Sequence, residues 1–131
     1  MEVKLKLKVQ HAVLVEALES FARIPFDFEH REAAAAALRQ LLQDVGMNFG
    51  YEEALMLDGH YAEFEHHRRQ HVGLMTELGQ LLDRVVVMSD PKGVARNVDF
   101  LLDWYRQHAV QTDAAFERWL DSGAVPPPSD D

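Results

Sequence analysis

The sequence predicts an all-α protein, an up-down-up-down bundle of four helices. Three observations lead there. Apolar residues recur at steps of three and four in four separate stretches, helix breakers divide those stretches, and 131 residues suit one domain with one core. The bundle is expected over residues 1–124, with a disordered proline-rich tail over 125–131.

In the first stretch Val3, Leu7, His11, Leu14, Leu18 and Phe21 share one helical face, and Pro25 follows it. Its start has a second reading. Val3, Leu5, Leu7 and Val9 also alternate with Lys4, Lys6 and Lys8, so residues 1–9 fit an extended arm packed on the bundle as well as a helix. The second stretch carries Leu38, Leu41, Val45, Asn48, Glu52 and Leu55 on its stripe, after the strong helix-forming run Ala33 to Ala37, and closes at Gly59. Phe64, His67, His71, Leu74, Leu78 and Leu81 line the third. The fourth opens with Asp90 as N-cap and Pro91 in its first turn, and aligns Leu101, Trp104, His108, Thr112, Phe116 and Leu120 before Pro126 to Pro128. Every stripe has a polar interruption.

Short connections make neighbouring helices antiparallel, which allows heights to be compared by counting. About Gly59, Glu52 lies seven residues before and His67 eight after, while Asn48 lies eleven before and His71 twelve after. About the Ser89/Asp90 boundary, His71 and His108 are equally distant, about eighteen residues each. Near Pro25 the count fails, because His11 is closer to the turn than Asn48. A long first connection or an overhanging start to the second helix is therefore expected.

Composition narrows the chemistry. Twenty-two acidic against thirteen basic residues leave a formal charge of −9, a surface that repels phosphate backbones and anionic lipid, so neither nucleic acid nor membrane is an expected partner. No apolar run approaches a membrane span, and residues 1–10 lack the apolar block of a signal peptide, so a cytoplasmic location is expected. There is no cysteine, which removes disulfides, thiolate metal sites and iron–sulfur clusters. Any metal must take nitrogen and oxygen ligands, and the chain has seven histidines to offer.

His67 and His71 are four apart, on one helical face and one turn from each other, a spacing that lets two imidazoles reach one ion. Taken alone the pair is a common surface coincidence. His11, Glu52, His67, His71 and His108 together, all on inner stripes at related heights, are another matter, because burying so many polar groups is costly unless they share a partner. A metal centre supplies one. Asp113 fits less well: five residues after His108, it lies about 140° round an ideal helix. A wide π-type turn or a carboxylate reaching across would bring it in. His30, His60 and His66 read as surface residues, and Tyr51, Tyr61 and Tyr105 are assigned no role.

These motifs, in this order, resemble the hemerythrin family, including its single-domain bacterial members. An early Gln-His is present as Gln10-His11, and the stretch His-Phe-x-x-Glu-Glu-x-x-Met as Asn48-Phe49-Gly50-Tyr51-Glu52-Glu53-Ala54-Leu55-Met56. HxxxH is present as His67 and His71, and Trp-x-x-x-His-x-x-x-x-Asp as Trp104, His108 and Asp113. The resemblance implies two non-haem iron ions joined by an oxo or hydroxo bridge. It implies His67, His71 and His108 on one iron, His11 on the other, and Glu52 and Asp113 bridging. It also implies dioxygen, or a similar diatomic or peroxide ligand, as partner.

Position 48 departs from the family, with asparagine where the pattern has a histidine ligand. Asn48 can coordinate weakly through its amide oxygen, hydrogen-bond a bound water, or leave a position open. Two functions follow. One is a di-iron protein that binds dioxygen for storage, delivery or sensing. The other is a di-iron oxidase or peroxidase-like enzyme whose second iron is opened by the exchange.

Overall fold

The structure, a computed structural model, describes residues 3–122, so the expected tail at 125–131 lies outside the described residues. It is all-helical there: α1 Val3–Ala22, α2 Arg31–Asp58, α3 Phe64–Val87, α4 Pro91–His108, a π-helical turn Ala109–Asp113, and α5 Ala114–Asp121. Ala109 and Ala114 keep right-handed helical angles, so α4, the π turn and α5 make one rod. The bundle thus has four rods, each packed on two neighbours.

Contacts between the rods fix their directions. Lys4 pairs with Asp121 and Glu19 with Arg106, so α1 runs against the fourth rod. Lys6 lies over the Tyr51 ring while Gln10 meets Asn48. Phe49 stacks on His71 while Glu52 approaches His67. Gln70 meets His108 while Arg84 meets Asn97. In each pair one number rises as the other falls, the mark of antiparallel neighbours.

The first segment is helical from Val3, which rules out the extended arm. Leu5 and Val9 point outward, 50% and 46% exposed, and of the alternating residues Leu7 alone is buried. Val3 is also exposed, so the inner stripe begins at Leu7. Residues 23–30 form the long first connection, and with Gln10 meeting Asn48 the start of α2 overhangs the α1 terminus by more than one turn. Both features account for the failed count near Pro25.

Gly59 ends α2 as expected, although the left-handed residue of the turn is His60, with φ 55°. Gly59 is needed for space instead: a Cβ there would come within 2.5 Å of the Trp119 ring. Asp90 caps α4 by accepting from the Gly93 amide at 3.1 Å, with Pro91 beside it.

The core divides in two. A large apolar cluster is built from Leu14, Leu18, Leu38, Val45, Leu74, Leu78, Leu101 and their neighbours, and a small one from Leu7, Met56 and Phe116. On every rod the residues between these clusters are polar: His11 on α1, Asn48 and Glu52 on α2, His67 and His71 on α3, His108 and Asp113 on the fourth. A polar layer is thus held between two apolar blocks, each of whose buried side chains stabilises the fold by about 1.5–3 kcal/mol.

Candidate metal centre

Glu52, His67, His71, His108 and Asp113 are all 3% exposed or less, and His11 is nearly buried. Two donor groups form among them. His67, His71, His108 and Asp113 bring one atom each within 4.8 Å of one another, and so do His11, Glu52 and Asp113.

The two carboxylates divide their oxygens between these groups. Glu52 Oε1 lies 3.4 Å from His67 Nε2 and 3.2 Å from His71 Nε2, while its Oε2 meets His11 Nε2. Asp113 Oδ1 lies 2.9 Å from His67 Nε2 and 3.1 Å from His108 Nε2, while its Oδ2 lies 3.4 Å from His11 Nε2. Ligands about 2.1 Å from an octahedral cation stand about 3 Å apart, so these separations are those of atoms sharing a metal. The unsatisfied atoms agree. His67 Nε2, His71 Nε2, His108 Nε2, Glu52 Oε1 and both Asp113 oxygens are buried without a hydrogen-bond partner, a costly arrangement for a cluster meant to stay metal-free. The residues therefore fit a metal centre.

Asp113 reaches the layer because the backbone widens. The π turn Ala109–Asp113 absorbs one extra residue, so a position that would lie off the stripe on an ideal helix faces the same way as His108. Of the two expected routes, a wide turn or a carboxylate reaching across, the wide turn is the one found.

Other residues aim the imidazoles. His71 Nδ1 meets Glu53 Oε2 at 3.0 Å, and His108 Nδ1 meets Gln70 Oε1, which also accepts from the Thr112 hydroxyl at 3.0 Å. With Nδ1 as donor, each ring turns an unprotonated Nε2 toward the centre. Phe49 stacks on His71 at 3.6 Å between centroids, and Trp104 lies parallel to His108 at 5.2 Å. Sequence reading missed Gln70 altogether and gave Glu53 no role. Only the antiparallel register, which sets Gln70 beside His108, could have singled out the former. Tyr105 is fully buried with its hydroxyl unpartnered, and burial together with the nearby Asp113 and Glu52 charges raises its pKa.

Asn48 is buried at the expected height, yet its side chain engages α1: Nδ2 donates to Gln10 Oε1 at 2.8 Å, and Oδ1 is buried without a partner. His30, His60 and His66 stay outside the layer. His30 binds Asp27 at 2.7 Å, His60 is exposed in its turn, and exposed His66 accepts from Gln70 at 3.0 Å.

Without a metal the layer behaves as a set of ion pairs. Burial works against a charge on His67, but the close approach of the Asp113 and Glu52 carboxylates outweighs it and pushes the pKa up to about 9. His11 is raised in the same way, burial being outweighed by Glu52 and Asp113. Burial opposes the Glu52 charge too, yet His11, His67 and His71 hold it well below the usual carboxylate range, and His108 and His67 lower Asp113 likewise.

Fold and site together define a four-helix cation-binding bundle with a histidine–carboxylate centre. The family model for the hemerythrin HHE cation binding domain matches residues 6–120, and the chain belongs to that family. Searches of curated proteins and of solved structures returned no match. No helix among the described residues is long and apolar enough to cross a membrane.

Proposed function

We propose that the chain is a non-haem di-iron protein that binds dioxygen, or a similar small ligand, for storage, delivery or sensing. One observation carries the two-metal reading: Glu52 and Asp113 each turn one oxygen toward the three-histidine group and the other toward His11. A carboxylate that serves one ion has no need of that division. His67, His71 and His108 would hold the first ion, His11 the second, and the two carboxylates both. Imidazole and carboxylate donors suit iron, which when bound would supply an electron source for a small oxidising ligand. The Phe49 and Trp104 rings and the apolar blocks above and below keep bulk water from the layer.

A second reading, a di-iron oxidase or peroxidase-like enzyme, draws on Asn48. With its amide turned to Gln10, the second position has one imidazole where the family pattern has two, and more room for an exogenous ligand. Iron stoichiometry with optical spectra before and after air exposure tests the proposal. Two irons per chain and an oxygen-dependent visible charge-transfer band are expected; a single iron with no such band would rule it out. Sustained turnover of peroxide with a reductant would favour the enzyme.

A further inference from the structure

We propose that Glu117 is a ligand of the second metal ion, filling the coordination position that asparagine at 48 leaves without an imidazole. The proposal rests on the two-metal reading above.

Glu117 lies one turn beyond Asp113 on the same face of α5. That face is laid along α1 at both ends, by His11 with Asp113 Oδ2 at 3.4 Å and by Lys4 with Asp121. Glu117 stands between these two contacts, beside the turn of α1 that leads up to His11. Its Oε1 is buried and has no hydrogen-bond partner, and the residue forms no ion pair among the described residues. A carboxylate oxygen withdrawn from water without a cation is costly. Among the described residues, and apart from the Tyr105 hydroxyl, every other buried side-chain atom left unpartnered belongs to the polar layer itself: Asn48, Glu52, His67, His71, His108 and Asp113. Glu117 is half-buried, but its Oε1 shares their lack of a partner, and its charge is among those that favour a protonated His11.

Asn48 is the weaker candidate for the vacant position. Its amide nitrogen is committed to Gln10, and the oxygen that remains is a neutral donor. Glu117 lies outside the tightest grouping of donor atoms, so the assignment requires its side chain to rotate toward His11 when the metal binds. The two ions then have unlike surroundings. The first takes three imidazoles and shares two carboxylates, while the second takes one imidazole and oxygen from Glu52, Asp113 and Glu117. An oxygen-rich set favours harder ions, so the second position accepts Mn(II) readily and the first discriminates against it.

The test is anaerobic titration of the full chain, stripped of metal, with Fe(II) and separately with Mn(II). The wild type should take two Fe(II) ions, and should take Mn(II) tightly at the second position only. Glu117→Gln should keep the first and bind the second at least about 10-fold more weakly, and Asn48→His in the same chain should restore it. Melting gives a second readout: metal-free Glu117→Gln should melt close to the metal-free wild type, since the half-buried carboxylate makes no hydrogen bond or close ion pair there, yet gain less on loading. Glu117→Asp is read in the same way should the glutamine variant fold poorly. Two ions bound with unchanged affinity in Glu117→Gln would overturn the Glu117 assignment and leave the two-metal reading standing. Loss of the second ion in Asn48→Ala but not in Glu117→Gln would also overturn it, making the amide oxygen the ligand. A single Fe(II) in the wild type would overturn both.

Discussion

A metal ligand is useful only if its lone pair points at the ion, and in this layer that direction is set by residues that never touch the centre. Gln70 holds His108 and Glu53 holds His71, each by accepting the Nδ1 proton, and Gln70 also accepts from the Thr112 hydroxyl. Gln70→Ala should therefore weaken binding at the three-histidine position by about 10–100-fold, with helix content by circular dichroism unchanged. Unaltered affinity in that variant would mean that packing alone, through the Trp104 ring, orients His108. Glu52, His67, His71 and His108 were legible in the sequence because helical periodicity places them on buried stripes. Gln70 was not, because its contact depends on how α3 and α4 meet, which no single-helix pattern contains. Asn48 was legible as a departure, but its turn toward Gln10 was not, since one helical position can face either of two neighbours. Glu117 is the same kind of case: off the stripe drawn through Phe116 and Leu120, it is half-buried only because α5 lies along α1.

The element that required most of the structure is the π turn. Four rods, their order and their antiparallel register follow from stripes and breakers, and even the long connection at residues 23–30 was implied by a failed count. The wide turn at Ala109–Asp113 was one of two ways to accommodate the five-residue interval, and it could not be located by periodicity, which assumes an even helix. Such a turn amounts to one residue inserted into an α-helix. Deleting Val110, whose side chain is 73% exposed, should restore ordinary helix, bring Asp to the fourth position after His108 and keep it facing the layer. Metal content should be retained and the melting temperature held or raised. Inserting an alanine after His108 should instead turn Asp113 and Phe116 away together, removing metal binding and loosening the contact with Leu7 and Met56. If the deletion abolished metal binding as fully as the insertion, the turn would have some role beyond absorbing a residue. The α4 start permits a smaller forecast: Asp90→Ala, which removes the acceptor for the Gly93 amide, should cost about 1 kcal/mol in chemical denaturation.

For the molecule as a whole, the polar layer couples stability to both protons and metal. In the metal-free chain His67 has a folded pKa of about 9 against an ordinary 6.5, so its ion pairs contribute fully below pH 6.5 and are lost as pH rises through 9. His11, also raised, adds in the same direction. Glu52 and Asp113 are lowered from 4.5 and 3.8, so their contribution is present above those values and lost as acid protonates them. The metal-free protein should thus melt highest between the ordinary carboxylate and imidazole pKa values, and progressively lower from pH 6.5 to 9. Because these groups are buried, added salt should change that profile little. A bound metal reverses the trend, since it requires the imidazole lone pairs that those protons occupy, and its affinity rises as they leave. The gap between metal-loaded and metal-free melting temperatures should therefore widen from pH 6.5 to 9, as calorimetry on matched samples would register. A gap that narrowed over this interval would mean that the histidines are neutral in the metal-free fold, and that the four rods tolerate their buried layer by some means other than ion pairing.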